Sequence, residues 1–387
     1  YQLALNYLAL KRVEDAELIF QNLMTLKSQK ISNQAKIIFA SILLDFRKDK
    51  IESKRLLDEV YNSETAQISH KFISLKILVN LFIKENDLSS AILYLENSIR
   101  WLPSNNRFEI KKKLIELCSE MKMYNDALKW IDAARAEEIS HSDAVSLQFN
   151  KSNVLLKLDR FDDAAFSYQI LLDVVDDPNQ VSSAYYGRGL ALWNLNRFNE
   201  SANMFKRSAL IAIDKSLRNQ SLLKAGDSYY ESEQYLKSEE YYKVFLEENP
   251  SHQLRAQALY QLGLSVARIG RRSDASKIFK GIYLDFPNSD FSIQAMLRLS
   301  DIFIADQKWD DAMDMYFQIE NISHETNEIV LSKKQRGLLL YNLGNYAEAK
   351  KVFEEIIFSY EKSVSGVKPP PFLTFGSLAF WYAALTL

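Results

Sequence analysis

Apolar and polar residues follow one another along this chain with the spacing of amphipathic helices. In residues 259–266, LYQLGLSV, the apolar residues recur every three or four positions, and residues 275–282, ASKIFKGI, have the same spacing. This spacing places the apolar side chains on one face of a helix. Two such segments in close succession predict a pair of antiparallel helices, which we call helix A and helix B.

One sequence element recurs along the whole chain with a period of about 37 residues. It has a large residue, two polar residues, a small residue and then an aromatic residue four positions later. The small residue is Ala164, Ser201, Ser238, Ala275, Ala312 and Ala349 in the clear copies, and Ala16, Ser53, Ala91 and Ala127 in weaker ones. A fixed period of this length is typical of repeat proteins, in which each unit packs on its neighbours.

Glycine and proline occupy fixed positions in the repeat. Glycine stands twelve residues before the small residue in four copies, at Gly189, Gly226, Gly263 and Gly337. Because glycine in a helix interior costs about 1 kcal/mol relative to alanine, we expect helix A to pack closely there against the small residue of helix B. Proline follows the small residue by twelve at Pro103, Pro250 and Pro287, which predicts the end of helix B, and polar residues such as Ser289 should cap the next helix.

This pattern resembles the tetratricopeptide repeat. The matching residues are Leu259, Leu262, Gly263, Ala275, Phe279 and Pro287 in one copy, and Leu222, Gly226, Tyr229, Ser238, Tyr242 and Pro250 in another. The period is longer than the usual ~34 residues of the family, so we expect longer helices or connections. The endings at 249–251 and 286–289 also resemble bacterial cell-envelope members of the family, such as the lipoprotein of outer-membrane protein assembly and the Tol–Pal coordinator.

The predicted fold is an all-α, right-handed α-solenoid of about ten helical hairpins. The array should span residues 1–360, with weaker repeats in 1–144 and stronger repeats in 145–360. Three prolines in residues 361–371 predict a loop between repeats or, alternatively, a docking or hinge segment, and residues 372–387 should form the first helix of a further repeat. The chain starts without methionine and ends in an apolar run, so we expect it to be part of a longer protein.

Composition and charge narrow the function classes. The chain has 48 Lys and Arg against 50 Asp and Glu, a net charge of −2, which argues against nucleic acid or an anionic membrane as the main partner. The sequence has no apolar run of about 18 residues, so we expect no direct membrane insertion. A single cysteine, Cys118, excludes an internal disulfide and a thiolate metal cluster.

Residues that could carry chemistry have a simpler structural interpretation. The four histidines, each preceded by serine and far apart, should be cap or turn residues: His70, His141, His252 and His324. Cys118 should be a small core residue, and the basic run 111–113 a solvated helix face. The acidic pairs 162–163 and 310–311 begin helices B, where carboxylates suit the helix dipole. With no phosphate loop or nucleophile motif, we expect neither a cofactor nor catalysis.

The family resemblance implies a partner surface on the face of helix A that avoids the hairpin core. In the strongest repeats the register gives Tyr186, Leu190, Trp193, Leu223, Asp227, Tyr230, Tyr260, Leu264 and Arg268, followed by Leu297, Asp301 and Ile304. Aromatic residues with a few charges suit a peptide-binding groove, although tight packing of the superhelix could instead bury them against one another. The family's carboxylate clamp is absent, because only Asn153 and Lys334, in distant repeats, hold clamp-like positions.

The sequence therefore predicts a non-enzymatic scaffold or adaptor that binds partner proteins or peptides through the concave face and belongs to a larger assembly. A regulatory or sensor module that controls an effector domain outside this chain is the alternative. The cell-envelope endings, and a wealth of Ile, Lys and Asn typical of AT-rich bacterial genomes, favour the bacterial periplasm or cell envelope over the cytoplasm.

Overall fold

The computed structural model describes residues 2–249, 251, 253–323 and 326–363, and within these ranges the regular structure is helical, with no β-strand. The chain divides into two compact units, one ending at Asp176 and one starting at Asp177. We call them the N-terminal and C-terminal units and describe each by itself.

The N-terminal unit consists of five hairpins, each with a helix A followed by a helix B. In chain order the helices are α1 (Gln2–Ala9), α2 (Val13–Met24), α3 (Gln29–Ile42), α4 (Lys50–Asn62), α5 (Ile68–Lys84), α6 (Leu88–Ser98), α7 (Ser104–Glu120), α8 (Tyr124–Arg135), α9 (His141–Lys157) and α10 (Phe161–Leu172). A π-helical turn, Leu43–Arg47, extends α3. Each helix packs on the next, and α3 also touches α5, as expected for a stack of hairpins.

The C-terminal unit contains five more hairpins of the same kind. Its helices are α11 (Pro178–Asn194), α12 (Phe198–Ile211), α13 (Lys215–Glu231), α14 (Tyr235–Glu248), α15 (Arg255–Arg268), α16 (Arg272–Asp285), α17 (Asp290–Ala305), α18 (Trp309–Ile322), α19 (Thr326–Asn342) and α20 (Tyr346–Ser363). The helices A pack against their neighbours along α11, α13, α15 and α17. The predicted loop at 361–371 starts inside α20, and the rest of it, with the predicted helix 372–387, lies outside the described residues.

The small residue of the repeat is the centre of each hairpin. All ten of these alanines and serines, from Ala16 to Ala349, have no solvent-accessible surface. The aromatic residue four positions later is also buried in most hairpins, as for Phe205, Tyr242 and Phe279. Burial of large aromatic side chains dominates the stability of such cores. The all-α helical-repeat solenoid predicted from the periodicity is therefore confirmed.

The repeated glycines have a second partner in addition to the expected small residue, the aromatic ring of helix B. A Cβ atom added to Gly263 would lie 2.6 Å from Cε1 of Phe279, and one added to Gly226 would lie 2.7 Å from Cε1 of Tyr242. Gly189 and Gly337 face Phe205 and Phe353 in the same way. The glycine thus makes room for the aromatic ring of helix B. The expected contact with the small residue is also present in the hairpin of Gly189, where Ser201 Oγ donates a hydrogen bond to Gly189 O at 2.8 Å.

A feature not anticipated from the sequence is one left-handed residue in each turn between helix A and helix B. It stands five positions before the small residue in all ten hairpins: Lys11, Lys48, Asn86, Lys122, Asp159, Asn196, Glu233, Gly270, Gln307 and Gly344. Only two of the ten are glycine, the residue that adopts positive φ at no steric cost. The five lysine, glutamate and glutamine residues among the other eight carry the strain of a side chain in this conformation, about 1–2 kcal/mol each, whereas asparagine and aspartate adopt it more readily.

Replacing Glu233 with glycine should therefore stabilise the C-terminal unit. Glu233 has φ 61° and Gly270, at the same place in the next hairpin, has φ 94°. Removing the strain outweighs the entropy that glycine adds to the unfolded chain, so we expect a gain of about 0.5–1 kcal/mol in the free energy of unfolding. Urea denaturation followed by circular dichroism measures it. Gly270→Glu is the matched reverse substitution, and the interpretation fails if both variants shift the midpoint in the same direction.

Within the described ranges, no helix combines the length and the apolar character needed to span a lipid bilayer.

Candidate functional site

The surface predicted for partner binding lies on helices A of the C-terminal unit, and we call it the aromatic row. Its residues differ in exposure. Leu223 and Tyr260 are buried, with 9% and 7% of their surface exposed. Arg268 is exposed, and the rest are partly buried: Tyr186, Leu190, Trp193, Asp227, Tyr230 and Leu264. Leu223 and Tyr260 thus offer a partner little surface.

Cations from neighbouring helices A contact three aromatic side chains of the aromatic row. The Lys224 ammonium lies 5.4 Å from the centroid of the Trp193 ring. Arg268 Nε donates a hydrogen bond to Tyr230 Oη at 3.3 Å, which connects α15 to α13. Arg298 Nε donates in the same way to Tyr260 Oη at 3.3 Å, which connects α17 to α15. These contacts join successive hairpins, so part of the aromatic row holds the unit together.

Asp227 has two partners inside the chain. It accepts hydrogen bonds from Tyr242 Oη at 2.6 Å and from Lys224 Nζ at 3.1 Å. Burial, followed by the Asp227 charge, raises the pKa of Tyr242 well above its ordinary value, so the phenol stays protonated as a donor. In the N-terminal unit Asn153 accepts from Tyr168 Oη at 2.6 Å in the same register. The clamp-like position of Asn153 therefore has a structural role.

A more open surface lies on helices A of the N-terminal unit. A groove of about 720 Å³ runs across α5, α7 and α9, and we call it the A-face groove. Its floor is formed by buried aliphatic side chains, Leu75, Val79, Leu95, Ile110, Ile115 and Leu147. Its walls are polar: Lys76, Asn80, Glu109, Lys112, Lys113, Glu116, Ser119, Ser146 and Asn150.

The A-face groove has the same register as the aromatic row. Lys76 and Asn80 stand fifteen and eleven residues before Ala91, as Tyr186 and Leu190 do before Ser201. Sequence analysis missed the groove because its repeats match the family pattern weakly and its walls lack aromatic residues. The spacing from the small residue, applied to the weak repeats as well as the strong ones, would have indicated the groove.

Charges in the groove are paired, whereas its amides are not. Lys76 Nζ lies 2.8 Å from Glu109 Oε1, Lys112 Nζ lies 2.9 Å from Asp143 Oδ1, and Lys113 Nζ lies 2.9 Å from Glu116 Oε2. Exposed pairs of this kind contribute about 0–1 kcal/mol and open at little cost.

The side chains of Asn80 and Asn150 are exposed and have no hydrogen-bond partner among the described residues. Each amide offers one donor group and one acceptor group, which is the hydrogen-bonding pattern of a peptide bond.

The cysteine and the histidine that were considered for chemistry and that are buried in the described residues have structural roles. Cys118 is fully buried, and burial raises the pKa of its thiol to about 11, which makes it a poor nucleophile. The expectation of a core cysteine is confirmed. His70 is also buried, and burial, with a contribution from Lys30, lowers its pKa. It lies inside α5 rather than before it, which corrects its assignment as a cap, while His252 and His324 lie outside the described residues.

The basic run 111–113 is not simply a solvated face. Lys111 is buried, donates to Ala133 O at 2.9 Å and pairs with Glu137. In the part of the chain that the structure describes, no three His, Cys, Asp or Glu side chains are placed to hold a metal ion.

Parts of the chain are similar to known repeat proteins in sequence and in structure. Models of the tetratricopeptide repeat match residues 149–214, 220–252 and 335–357. The C-terminal part of a tetratricopeptide repeat-containing protein from Cytophaga hutchinsonii is similar in structure, with 15% identity and a TM-score of 0.53 over 65% of this chain and 96% of that one. Its identity is low enough that the likeness supports the fold alone.

Two further solved structures match more loosely. A tetratricopeptide repeat protein from Parabacteroides merdae has 18% identity and a TM-score of 0.43, covering 69% of this chain and 97% of that one. A signal transduction ATPase with a tetratricopeptide repeat sensor from Pyrococcus horikoshii has 15% identity and a TM-score of 0.49, covering 90% of this chain and 53% of that one. Curated protein sequences give no match. The matching models show tetratricopeptide repeats in these three stretches, and the hairpins continue the same register along the described residues.

Proposed function

We propose that the protein is a non-enzymatic interaction scaffold and that it binds an extended segment of a partner protein in the A-face groove. The tetratricopeptide repeats in the chain support the general role, because such repeats generally bind protein or peptide partners. The observation that carries the choice of site is the groove of about 720 Å³ across three successive helices A, a volume typical of ligand sites in proteins.

The chemistry of the groove favours a peptide main chain as the bound group. The amides of Asn80 and Asn150 stand on helices α5 and α9 at opposite sides of the groove, with α7 between them. An extended strand presents unpaired N–H and C=O groups along its length, and each amide can satisfy one of each. The aliphatic floor is already buried, so main-chain recognition should matter more than large apolar anchors.

The charged walls favour a partner segment that carries polar or charged side chains. Lys76, Lys113 and Glu116 are held by exposed ion pairs, which a ligand charge of either sign can replace at small cost. Such exchange affects specificity and association rate more than total affinity. Binding should therefore weaken at high salt, because exposed charges are screened.

Removing the two amides should weaken peptide binding. A phage-displayed library of random dodecapeptides is selected on the full chain, and the enriched peptides are titrated against Asn80→Ala/Asn150→Ala. Loss of four exposed hydrogen bonds, about 0.5 kcal/mol each and about 2 kcal/mol together, predicts a roughly thirtyfold rise in Kd. The matched control is Asn97→Ala, an exposed asparagine on α6 outside the groove. Equal affinity of the double variant and the control would show that the peptides do not bind in the groove.

The aromatic row remains a prediction as a second contact surface. Trp193→Ala/Tyr230→Ala tests it with the same peptides, with circular dichroism to check folding. Membership in a larger assembly and a bacterial periplasmic or cell-envelope location also remain proposals. They rest on the resemblance of the repeat endings and are tested by cell fractionation and by purification of the protein with its partners. A sensor module would use the same groove and is distinguished by an effector activity that changes when a peptide binds.

A further inference from the structure

An apolar tip with basic flanks lies at one edge of the C-terminal unit, between α12 and α13. Leu210, Ile211 and Ile213 are exposed by 69%, 36% and 69% within four residues of sequence. Lys206, Arg207 and Lys215 are exposed on either side of them. In the next hairpin, two glutamates, at 247 and 248, stand at the positions of Leu210 and Ile211. The apolar side chains are therefore specific to this connection and are not a feature of every repeat.

The lysines beside the apolar tip, Lys206 and Lys215, have no ion-pair partner among the described residues. The carboxylate of Asp214 caps α13 by accepting from Leu217 N at 2.8 Å. The nearby Glu248 is held by Arg218, with an Nη2–Oε1 distance of 2.6 Å. The ammonium groups of Lys206 and Lys215 are therefore available to an external anion, whereas Arg207 lies over the Tyr185 ring, 5.6 Å from its centroid.

A polar notch adjoins the tip on the side of α13. Its volume is about 380 Å³, and hydroxyl and amide side chains make up most of its lining: Asn179, Ser183, Asp214, Ser216, Leu217 and Gln220. Aliphatic side chains beside lysines and mostly uncharged polar groups, with one carboxylate at Asp214, form an arrangement that suits a lipid–water interface. There the apolar side chains enter the acyl boundary while the polar groups stay at the level of the headgroups.

We infer that the apolar tip docks the protein on an anionic phospholipid surface. Leu210, Ile211 and Ile213 enter the interface, and Lys206 and Lys215 lie against lipid phosphates. A protein partner fits less well, because protein interfaces are enriched in aromatic residues and Arg and depleted in Lys, whereas this tip has only aliphatic side chains and mostly lysine at its flanks. The near-zero charge of the whole chain led to the opposite expectation, since it averages over a local basic cluster.

Contacts of this size give weak, reversible docking. Three aliphatic side chains and two or three cations are comparable to a single membrane-binding signal, which needs a second contribution for stable attachment. Binding should therefore depend on anionic lipid and decrease as ionic strength rises.

Vesicle flotation of the full chain tests the docking site. The probes are vesicles of phosphatidylcholine alone and of phosphatidylcholine with about one quarter phosphatidylglycerol, at low salt. We expect the chain to float with the anionic vesicles and Leu210→Ser/Ile213→Ser to lose at least about tenfold in apparent affinity. The matched control is Leu236→Ser, whose side chain is also 69% exposed but lies at the start of α14.

Charge is tested separately. Lys215→Glu should weaken flotation about tenfold, whereas Lys280→Glu, an exposed lysine on α16, should not. Flotation that is absent for the wild type, equal on neutral vesicles, or unchanged in the serine double variant overturns the inference. A serine double variant that instead dissociates a dimer, or releases a bound protein, assigns the tip to a protein interface and also overturns it. None of these outcomes bears on peptide binding in the A-face groove.

Discussion

Replacing Arg336 with alanine should lower the free energy of unfolding of the last hairpins by about 3–5 kcal/mol. Arg336 Nε and Nη2 donate to the two carboxylate oxygens of Glu320 at 2.8 and 3.0 Å, and connect α19 to α18. The two side chains are only 9% and 11% exposed, and the guanidinium lies 4.3 Å from the centroid of the Phe317 ring. Without Arg336, the Glu320 carboxylate stays buried with no counter-charge.

The effect should appear as an earlier transition in urea denaturation, because terminal units of a repeat array can unfold separately. The control is Arg197→Ala, which removes an equally bidentate pair with Glu200 at 2.8 and 2.7 Å whose side chains are 48% and 53% exposed. That loss should be below about 1 kcal/mol. Arg336→Met/Glu320→Leu should recover most of the stability, because it removes both charges. Equal effects of Arg336→Ala and Arg197→Ala would show that burial of the pair is unimportant.

Replacing Gly263 with alanine should lower the free energy of unfolding by up to about 2 kcal/mol, even though alanine is the better helix former. The new Cβ would lie 2.6 Å from Phe279 Cε1, and Phe279 is fully buried and cannot swing away. Overpacking of a core costs about 1–3 kcal/mol, which exceeds the gain of about 1 kcal/mol in helix propensity.

The matched control for this contact is Gly281→Ala in α16, where the nearest atom to the added Cβ is an Asp285 oxygen at 4.0 Å. This variant should gain about 0.5–1 kcal/mol, because only the propensity changes. Phe279→Leu should reduce the penalty of Gly263→Ala when the two are combined, since the clashing ring is gone. Thermal melts that rise for both single glycine variants would show that the ring does not confine Gly263.

The hairpins could be predicted from sequence because they depend on local periodicity. The spacing that leads from Ala16 to Ala349 marks one fully buried small residue in each of ten hairpins, and the structure has the helices in that register. The sequence predicted close helix packing at Gly263 but not that the Phe279 ring fills the space. Phe279 is sixteen residues away, and the contact depends on how the two helices cross. Left-handed turns at residues such as Glu233 carry no glycine, so composition gave no signal for them.

The candidate site was harder to predict, because it depends on side chains from several hairpins. Sequence analysis favoured large aromatics in the strongest repeats, and two of them illustrate the difficulty. Tyr260 is buried against Phe279 and Phe291, with ring centroids 5.9 and 5.5 Å apart. Trp193 packs on Phe198 at 5.0 Å. Large apolar side chains favour contact with their own neighbours, whereas the smaller polar residues of α5, α7 and α9 leave a groove open.

Hydrogen–deuterium exchange of the full chain, with and without a peptide selected on it, tests the central claim most directly. Bound peptide should slow exchange in the segments of α5, α7 and α9 that line the groove, 75–80, 109–119 and 146–150. Additional slowing at 186–193 and 223–230 would make the aromatic row a second contact surface and would leave the assignment of the groove unchanged. Protection confined to the aromatic row, or to helices B, with none in α5, α7 and α9, would contradict the assignment of the A-face groove as the partner site.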